Sequence, residues 1–228
     1  MIVLGIETSS LHGGVALVGE RGLIAEYVLH IEVTYSERLL PAIDRLLADA
    51  GLGVPDLGGL AVAIGPGSFT GLRIGLATVK GLAAASGTPV VGVPTLRALA
   101  WGLPFSRHPI CPLLDARKGE VYCALFRWTE GGLVQEMEDA ALALEVLAAR
   151  VAEPTIFVGD GAALHAPALA GALGPRALFA PPALSAGQTL PVWLHSLPVY
   201  WPGPRGERRP SCNCSTIKGR QTWPLIPG

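Results

Sequence analysis

The sequence predicts an α/β protein of two ribonuclease-H-like lobes, the second smaller than the first. Two observations carry this. Three short strand-like segments open the chain and are followed by helix, strand, helix, strand and helix. After about residue 108, a hairpin, a helix and a strand begin the same plan again. The scale agrees: 228 residues, 50% of them apolar, suffice for one large core or two small ones.

Residues 2–6, 14–18 and 23–31 read as strands, and the turns between them hold Gly13, Gly14 and Gly22, which suggests an antiparallel meander. A helix follows. Thr34 and Glu37 have capping-box spacing, with Ser36 as an alternative cap. Leu39, Ile43, Leu46 and Ala50 make its apolar stripe, Leu40 and Leu47 widen it, and Gly51 supplies a stop. Pro41 is out of place, since it removes a helical hydrogen bond near the first turn.

Next come LAVAI (60–64), the loop GPGSFTGLRIG (65–75), a helix over about 69–85, and TPVVGV (88–93). A β-α-β unit of this kind makes its two strands parallel, with a right-handed crossover. PTLRALAWG starts a further helix, with Pro94 near its first turn. In the second half, ICPLLDA and GEVYCALFRW form a hairpin across Arg117, Lys118 and Gly119, followed by a helix over about 141–151 and by TIFVGDG. The expected division is 1–103 for the first lobe with its interface helices, 104–182 for the smaller second lobe, and 183–228 for a Pro-rich tail. PGPRGERRPSCNCSTIKGRQ in that tail holds almost no apolar residue and is expected to pack poorly.

Charged residues make up 15% of the chain and the formal net charge is -1, which argues against a nucleic-acid binder acting alone. Apolar runs are strand-sized and broken by Gly or Pro, so no membrane span is expected. No basic segment precedes the first strand, so the expected compartment is the cytoplasm. Cys111 and Cys123 sit on strand-like segments and read as buried thiols; Cys212 and Cys214 are too isolated to indicate a metal.

The loop at 65–75 stands where phosphate-binding loops stand, but it fails their patterns. The Walker pattern needs Gly where Thr70 or Leu72 falls, the dinucleotide pattern needs Gly at Thr70, and the nucleophile elbow needs Gly at Pro66. Two readings stay open: an anion on the backbone N–H groups of the helix start, or Ser68 as the cap. Gly71, Gly75 and Gly81 lie inside the helix, each costing about 1 kcal/mol against Ala. Gly71 and Gly75 are one turn apart and make a strip where another backbone can approach. Phe69, Leu72, Leu76 and Val79 run beside it, with Ile74, Ala77, Thr78 and Leu82 opposite. A helix apolar on both sides is sandwiched, so a second partner besides the sheet is expected.

GIETSS (5–10), SERLLPAID (36–44), GPGSFTGLRIGLATVKGLA (65–83) and LLDARKGEVY (113–122) occur in that order. Through them the chain resembles the bacterial TsaB family, also called YeaZ, over residues 1 to about 180. The resemblance implies the actin, sugar-kinase and heat-shock-ATPase superfamily. It implies a non-catalytic subunit that supports a TsaD-type catalytic paralogue, with a TsaE-type ATPase, in placing threonylcarbamoyl on the tRNA adenosine beside the anticodon. It further implies contact with that paralogue, or between two copies, through the two helices above: Leu39, Leu40, Ile43, Leu47, Phe69, Gly71, Leu72, Gly75 and Leu76.

Superfamily members clamp a nucleotide between three elements. Glu7, Thr8 and Ser9 match the first. The second, Asp-x-Gly-Gly-Gly-Thr, here reads Asp115, Ala116, Arg117, Lys118, Gly119, Glu120; the third survives as Gly159, Asp160 and Gly161. A degenerate clamp is expected, with no nucleotide of the chain's own and any ATP or ADP held at the interface with a partner. The paralogue's His-x-x-x-His metal pair has no counterpart in PTLRALA, and His12, His30, His108, His165 and His195 are scattered, so no metal is expected. The alternative is an active ATPase or metallopeptidase-like enzyme of the same superfamily. TsaB-like sequences continue past residue 182 with an amphipathic helix, whereas only LPVYW (197–201) echoes that ending here.

Overall fold

The structure, a computed structural model, describes residues 1–10, 12–30 and 35–181. The expected cap at Thr34, the thiols Cys212 and Cys214, His195 and the tail from 182 lie outside the described residues. The first sheet contains β1 (Val3–Glu7), β2 (His12–Gly19), β3 (Gly22–His30), β4 (Gly59–Gly65) and β5 (Val90–Pro94), in the order β3-β2-β1-β4-β5. The meander pairs antiparallel, and β4 runs parallel to both β1 and β5.

The second sheet contains β6 (Ile110–Arg117), β7 (Glu120–Thr129), β8 (Gly132–Ala143), β9 (Thr155–Val158) and β10 (Ala177–Phe179), in the order β10-β9-β6-β7-β8. Strand for strand this repeats the first sheet, so the reduction lies in the helices. The first lobe carries α1 (Tyr35–Asp49) and α2 (Phe69–Ser86), of 15 and 18 residues; their counterparts α4 (Leu144–Arg150) and α5 (Asp160–Leu173) have 7 and 14. Two elements differ from expectation. Residues 141–143, expected to begin a helix, end β8, and β10 is a three-residue edge strand.

Side-chain alternation explains the layers. Leu4 and Ile6 of β1 face α1 and α2 in a core with Leu39, Ile43, Leu46, Leu47 and Val79. Val3, on the opposite face, packs with Ala16, Val18 and Ala61 against Ala98 of α3 (Thr95–Trp101). The other side of α3 presents Leu96, Leu99 and Ala100 to Ile110, Leu114, Ala124 and Phe126 of the second sheet. One short helix is therefore a layer shared by both sheets. On the far face of the second sheet, Cys111, Leu113, Cys123 and Phe157 pack under α4 and α5. Cys111 and Cys123 are buried free thiols, as expected; burial pushes both up, Cys123 to about 11.

Candidate functional site

The chain crosses from β1 to β2 beside the start of α2, and the three residues expected to open a nucleotide clamp lie at this point. The Glu7 carboxylate, the Thr8 hydroxyl and the Ser9 backbone are engaged within the chain, while the buried Ser9 Oγ has no hydrogen-bond partner among the described residues. The Glu7 carboxylate accepts a hydrogen bond from the Ser9 backbone N–H. The Thr8 hydroxyl donates to Gly71 O at 2.8 Å, and the Ser68 N–H donates to Ser9 O at 2.6 Å. Ser68 Oγ accepts from the Gly71 N–H at 3.3 Å. Of the two readings of this loop, the cap is therefore formed. It and the Ser9 carbonyl take up two donors that an external anion would use.

The helix glycines have the same cause. A Cβ on Gly71 would stand 1.9 Å from Thr8 O, and one on Gly75 would stand 2.4 Å from Thr8 Oγ1. The strip at Gly71 and Gly75 admits a second backbone, as expected, but that backbone is the chain's own. The nine residues expected at the partner surface differ in exposure. Leu39, Ile43 and Leu47 are buried in the first core, Leu72 and Leu76 are half-buried, and Gly71 and Gly75 lie under Thr8. Two of the nine remain open to solvent: Leu40, 54% exposed, and Phe69, 74% exposed with the Arg73 guanidinium 5.3 Å over its ring.

The second lobe repeats the device. A Cβ on Gly159 would stand 2.3 Å from Leu113 O, and one on Gly161 would stand 2.9 Å from Leu114 C. These glycines, expected as the third clamp element, let the start of α5 reach the end of β6. The middle element is a tight hairpin in which Arg117 and Lys118 take positive φ of 65° and 53°, and Asp115 Oδ1 accepts from the Arg117 N–H at 2.8 Å. Non-glycine residues seldom adopt this conformation. Here it turns the strand at the place where glycines would have to admit a phosphate.

Asp160, at the start of α5, is close enough for its charge to act on Glu7. Burial raises the Glu7 carboxyl above its ordinary value, hydrogen bonding from Ser9 opposes the rise, and the Asp160 charge adds to it. Around the six expected clamp residues, Glu7, Thr8, Ser9, Asp115, Gly159 and Gly161, several groups that a phosphate would use are occupied by the chain itself. The Thr8 hydroxyl, the Ser9 carbonyl and the space beside Gly159 and Gly161 are taken up by neighbouring backbone. The pairing of Glu7 with Asp160 had no signal in the sequence, because the two are far apart along the chain.

Two five-stranded sheets of one order, joined by a shared helix, define the actin-like ATPase class of folds. YeaZ from Pseudomonas aeruginosa superposes with a TM-score of 0.69 at 27% identity, over 87% of this chain and 92% of that one. A structure described as an uncharacterized protein with similarity to peptidase YEAZ from Pseudomonas aeruginosa gives 0.73 at 26% identity, over 89% and 94%. The family described as TsaD, tRNA N6-adenosine threonylcarbamoyltransferase, matches residues 30–169. The Bacillus subtilis tRNA threonylcarbamoyladenosine biosynthesis protein TsaB is 35% identical over 179 residues, which are 77% of this chain and 78% of that protein. The Escherichia coli protein of the same name is 33% identical over 167 residues, 71% of this chain and 72% of its own. The chain belongs to the TsaB family. Among the described residues no helix is long and apolar enough to cross a membrane.

Proposed function

We propose that this chain acts in tRNA threonylcarbamoyladenosine biosynthesis as a non-catalytic subunit that binds and supports a TsaD-type transferase. The observation that carries the reading is the filled clamp. Where a nucleotide-using member of this fold class would hold phosphate, Thr8 and Ser9 lie against α2, and Asp115 is tied to its own hairpin. A lobe whose phosphate positions are filled by its own backbone still offers an outer helix surface to a partner. Leu40 and Phe69 are the exposed apolar residues there.

In this reading the partner is the TsaD-type paralogue, a TsaE-type ATPase joins the pair, tRNA is reached through the complex, and the setting is the cytoplasm. The chain holds no nucleotide of its own, and ATP or ADP belongs at the interface with the partner. Two copies of the chain pair through the same face when the paralogue is absent. The test is copurification of the full chain with the paralogue and tRNA, with and without ATP. A stable pair that modifies tRNA, beside an isolated chain that does not, is the expected result. Robust ATP turnover or tRNA modification by the isolated chain would replace this reading with an active superfamily enzyme.

A further inference from the structure

Phe69 and Arg73, the exposed pair at the start of α2, stand on a helix end that is weak by itself. Its first turn carries no carboxylate to complement the helix dipole. Its side-chain cap, from the Gly71 N–H to Ser68 Oγ, is 3.3 Å long, beyond the usual N–H···O distance. Gly71 and Gly75 fall in the first two turns, and glycine weakens a helix relative to alanine.

What orders this end comes from the other side of the first sheet's central strand. Thr8, fully buried, donates its hydroxyl to Gly71 O at 2.8 Å, and the Ser68 N–H donates to Ser9 O at 2.6 Å. The Glu7 carboxylate in turn accepts from the Ser9 N–H. Residues 7–9 thus form a strap from the end of β1 to the start of α2. Phe69 lies between its two points of attachment, Ser68 and Gly71. The ring is 74% exposed and has the Arg73 guanidinium 5.3 Å over it, so its placement depends on the backbone of that turn.

We infer that Thr8 is a positioning residue for partner docking: its buried hydroxyl holds the first turn of α2 in the geometry that presents Phe69 and Arg73. This rests on the reading that the outer helix face binds a TsaD-type paralogue. Position 8 then needs a hydroxyl rather than bulk, because Gly71 O would otherwise lose a donor inside the core. The stretch expected to open a nucleotide clamp is thereby the support of the docking face.

The experiment compares Thr8→Val, which nearly keeps the shape and removes the hydroxyl, with Thr8→Ser, which keeps the hydroxyl, in the full-length chain. Thr155→Val is the matched control in the second lobe, where buried Thr155 donates its hydroxyl to Glu153 O at 2.9 Å. Each is titrated against the paralogue by calorimetry at a temperature where circular dichroism shows it folded. Thr8→Val is expected to bind about 5-fold or more weakly than the parent. Thr8→Ser and Thr155→Val are expected to stay within about 2-fold of it. Thr8→Ala, with the same expectation, takes the place of Thr8→Val if that variant does not fold. Unchanged affinity in Thr8→Val, or equal weakening by Thr155→Val, overturns the inference and leaves the docking reading standing. A parent chain that does not bind the paralogue removes the docking reading and this inference with it. A second measure needs no paralogue. In the isolated chain the amides of Ser68, Gly71 and Leu72 are expected to exchange about 10-fold faster in Thr8→Val than in the parent, with Thr8→Ser unchanged. Equal exchange in Thr8→Val and the parent is the contrary result.

Discussion

In the first lobe, a Cβ at Gly71 would fall 1.9 Å from the Thr8 carbonyl; in the second, a Cβ at Gly159 would fall 2.3 Å from the Leu113 carbonyl. Each lobe thus brings the helix that follows its fourth strand against the end of its central strand. The side chains at the two junctions differ. Glu7, Thr8 and Ser9 stand at the first, and Leu113, Leu114 and Asp115 at the second. The backbone device serves the packing of this fold and is kept twice. Phosphate chemistry would need acid, hydroxyl and open glycine at both junctions, and the second lobe supplies an aliphatic pair and an Arg-Lys turn.

The largest effects should separate the glycines that the junctions require from those they do not. Gly71→Ala forces a carbonyl on β1's exit to move and is expected to cost about 4 kcal/mol. Gly159→Ala, at φ 107°, is expected to cost about 3 kcal/mol. Urea unfolding of both variants measures this, and a tolerated Gly71→Ala would break the parallel between the lobes. Next in size is Phe69→Asp. It should weaken binding to a TsaD-type paralogue at least 10-fold, about 1.4 kcal/mol, with folding stability changed by less than about 0.5 kcal/mol. Titration calorimetry and thermal melts on one preparation separate the two quantities. Gly81→Ala is expected to do the reverse of Gly71→Ala. Among the described residues nothing lies within 4 Å of where its Cβ would stand, so the gain in helix propensity should stabilise by up to about 1 kcal/mol.

The finest comparison concerns charge. Burial raises the folded-state pKa of Glu7 above its ordinary 4.5, and Asp160 adds to the rise. Its contribution to stability is therefore fully present below pH 4.5 and is lost as pH rises through the folded-state value. Glu7→Gln should raise the melting temperature at pH 7 relative to the parent, and the difference should vanish below pH 4.5. A difference that stays constant across that range would remove the buried-carboxyl account of this junction.

Much of the fold was legible because β1, β2, β4 and β5 are short apolar runs bounded by glycine, proline or polar residues. β8 was not. In LVQEMEDAALA polar residues interrupt the alternation, and only the pairing with β7 makes it a strand. β10 is too short to leave a pattern. At the site, the helical spacing of Gly71 and Gly75 correctly announced a close backbone approach. Spacing cannot identify the approaching chain, and Thr8 lies 63 residues from Gly71 in sequence. The same limit hid the neighbours of Glu7 and the Trp101–Trp128 contact, which arise only when α3 is laid between the sheets.

We propose that the filled junctions leave this chain without nucleotide chemistry of its own. The most direct test is equilibrium titration of ATP and ADP, with magnesium, into the isolated full chain and into its complex with a TsaD-type paralogue. The account predicts no saturable binding to the isolated chain, and binding only when the paralogue is present. Saturable ATP binding by the isolated chain, weakened by Glu7→Gln or by Asp115→Asn, would contradict it.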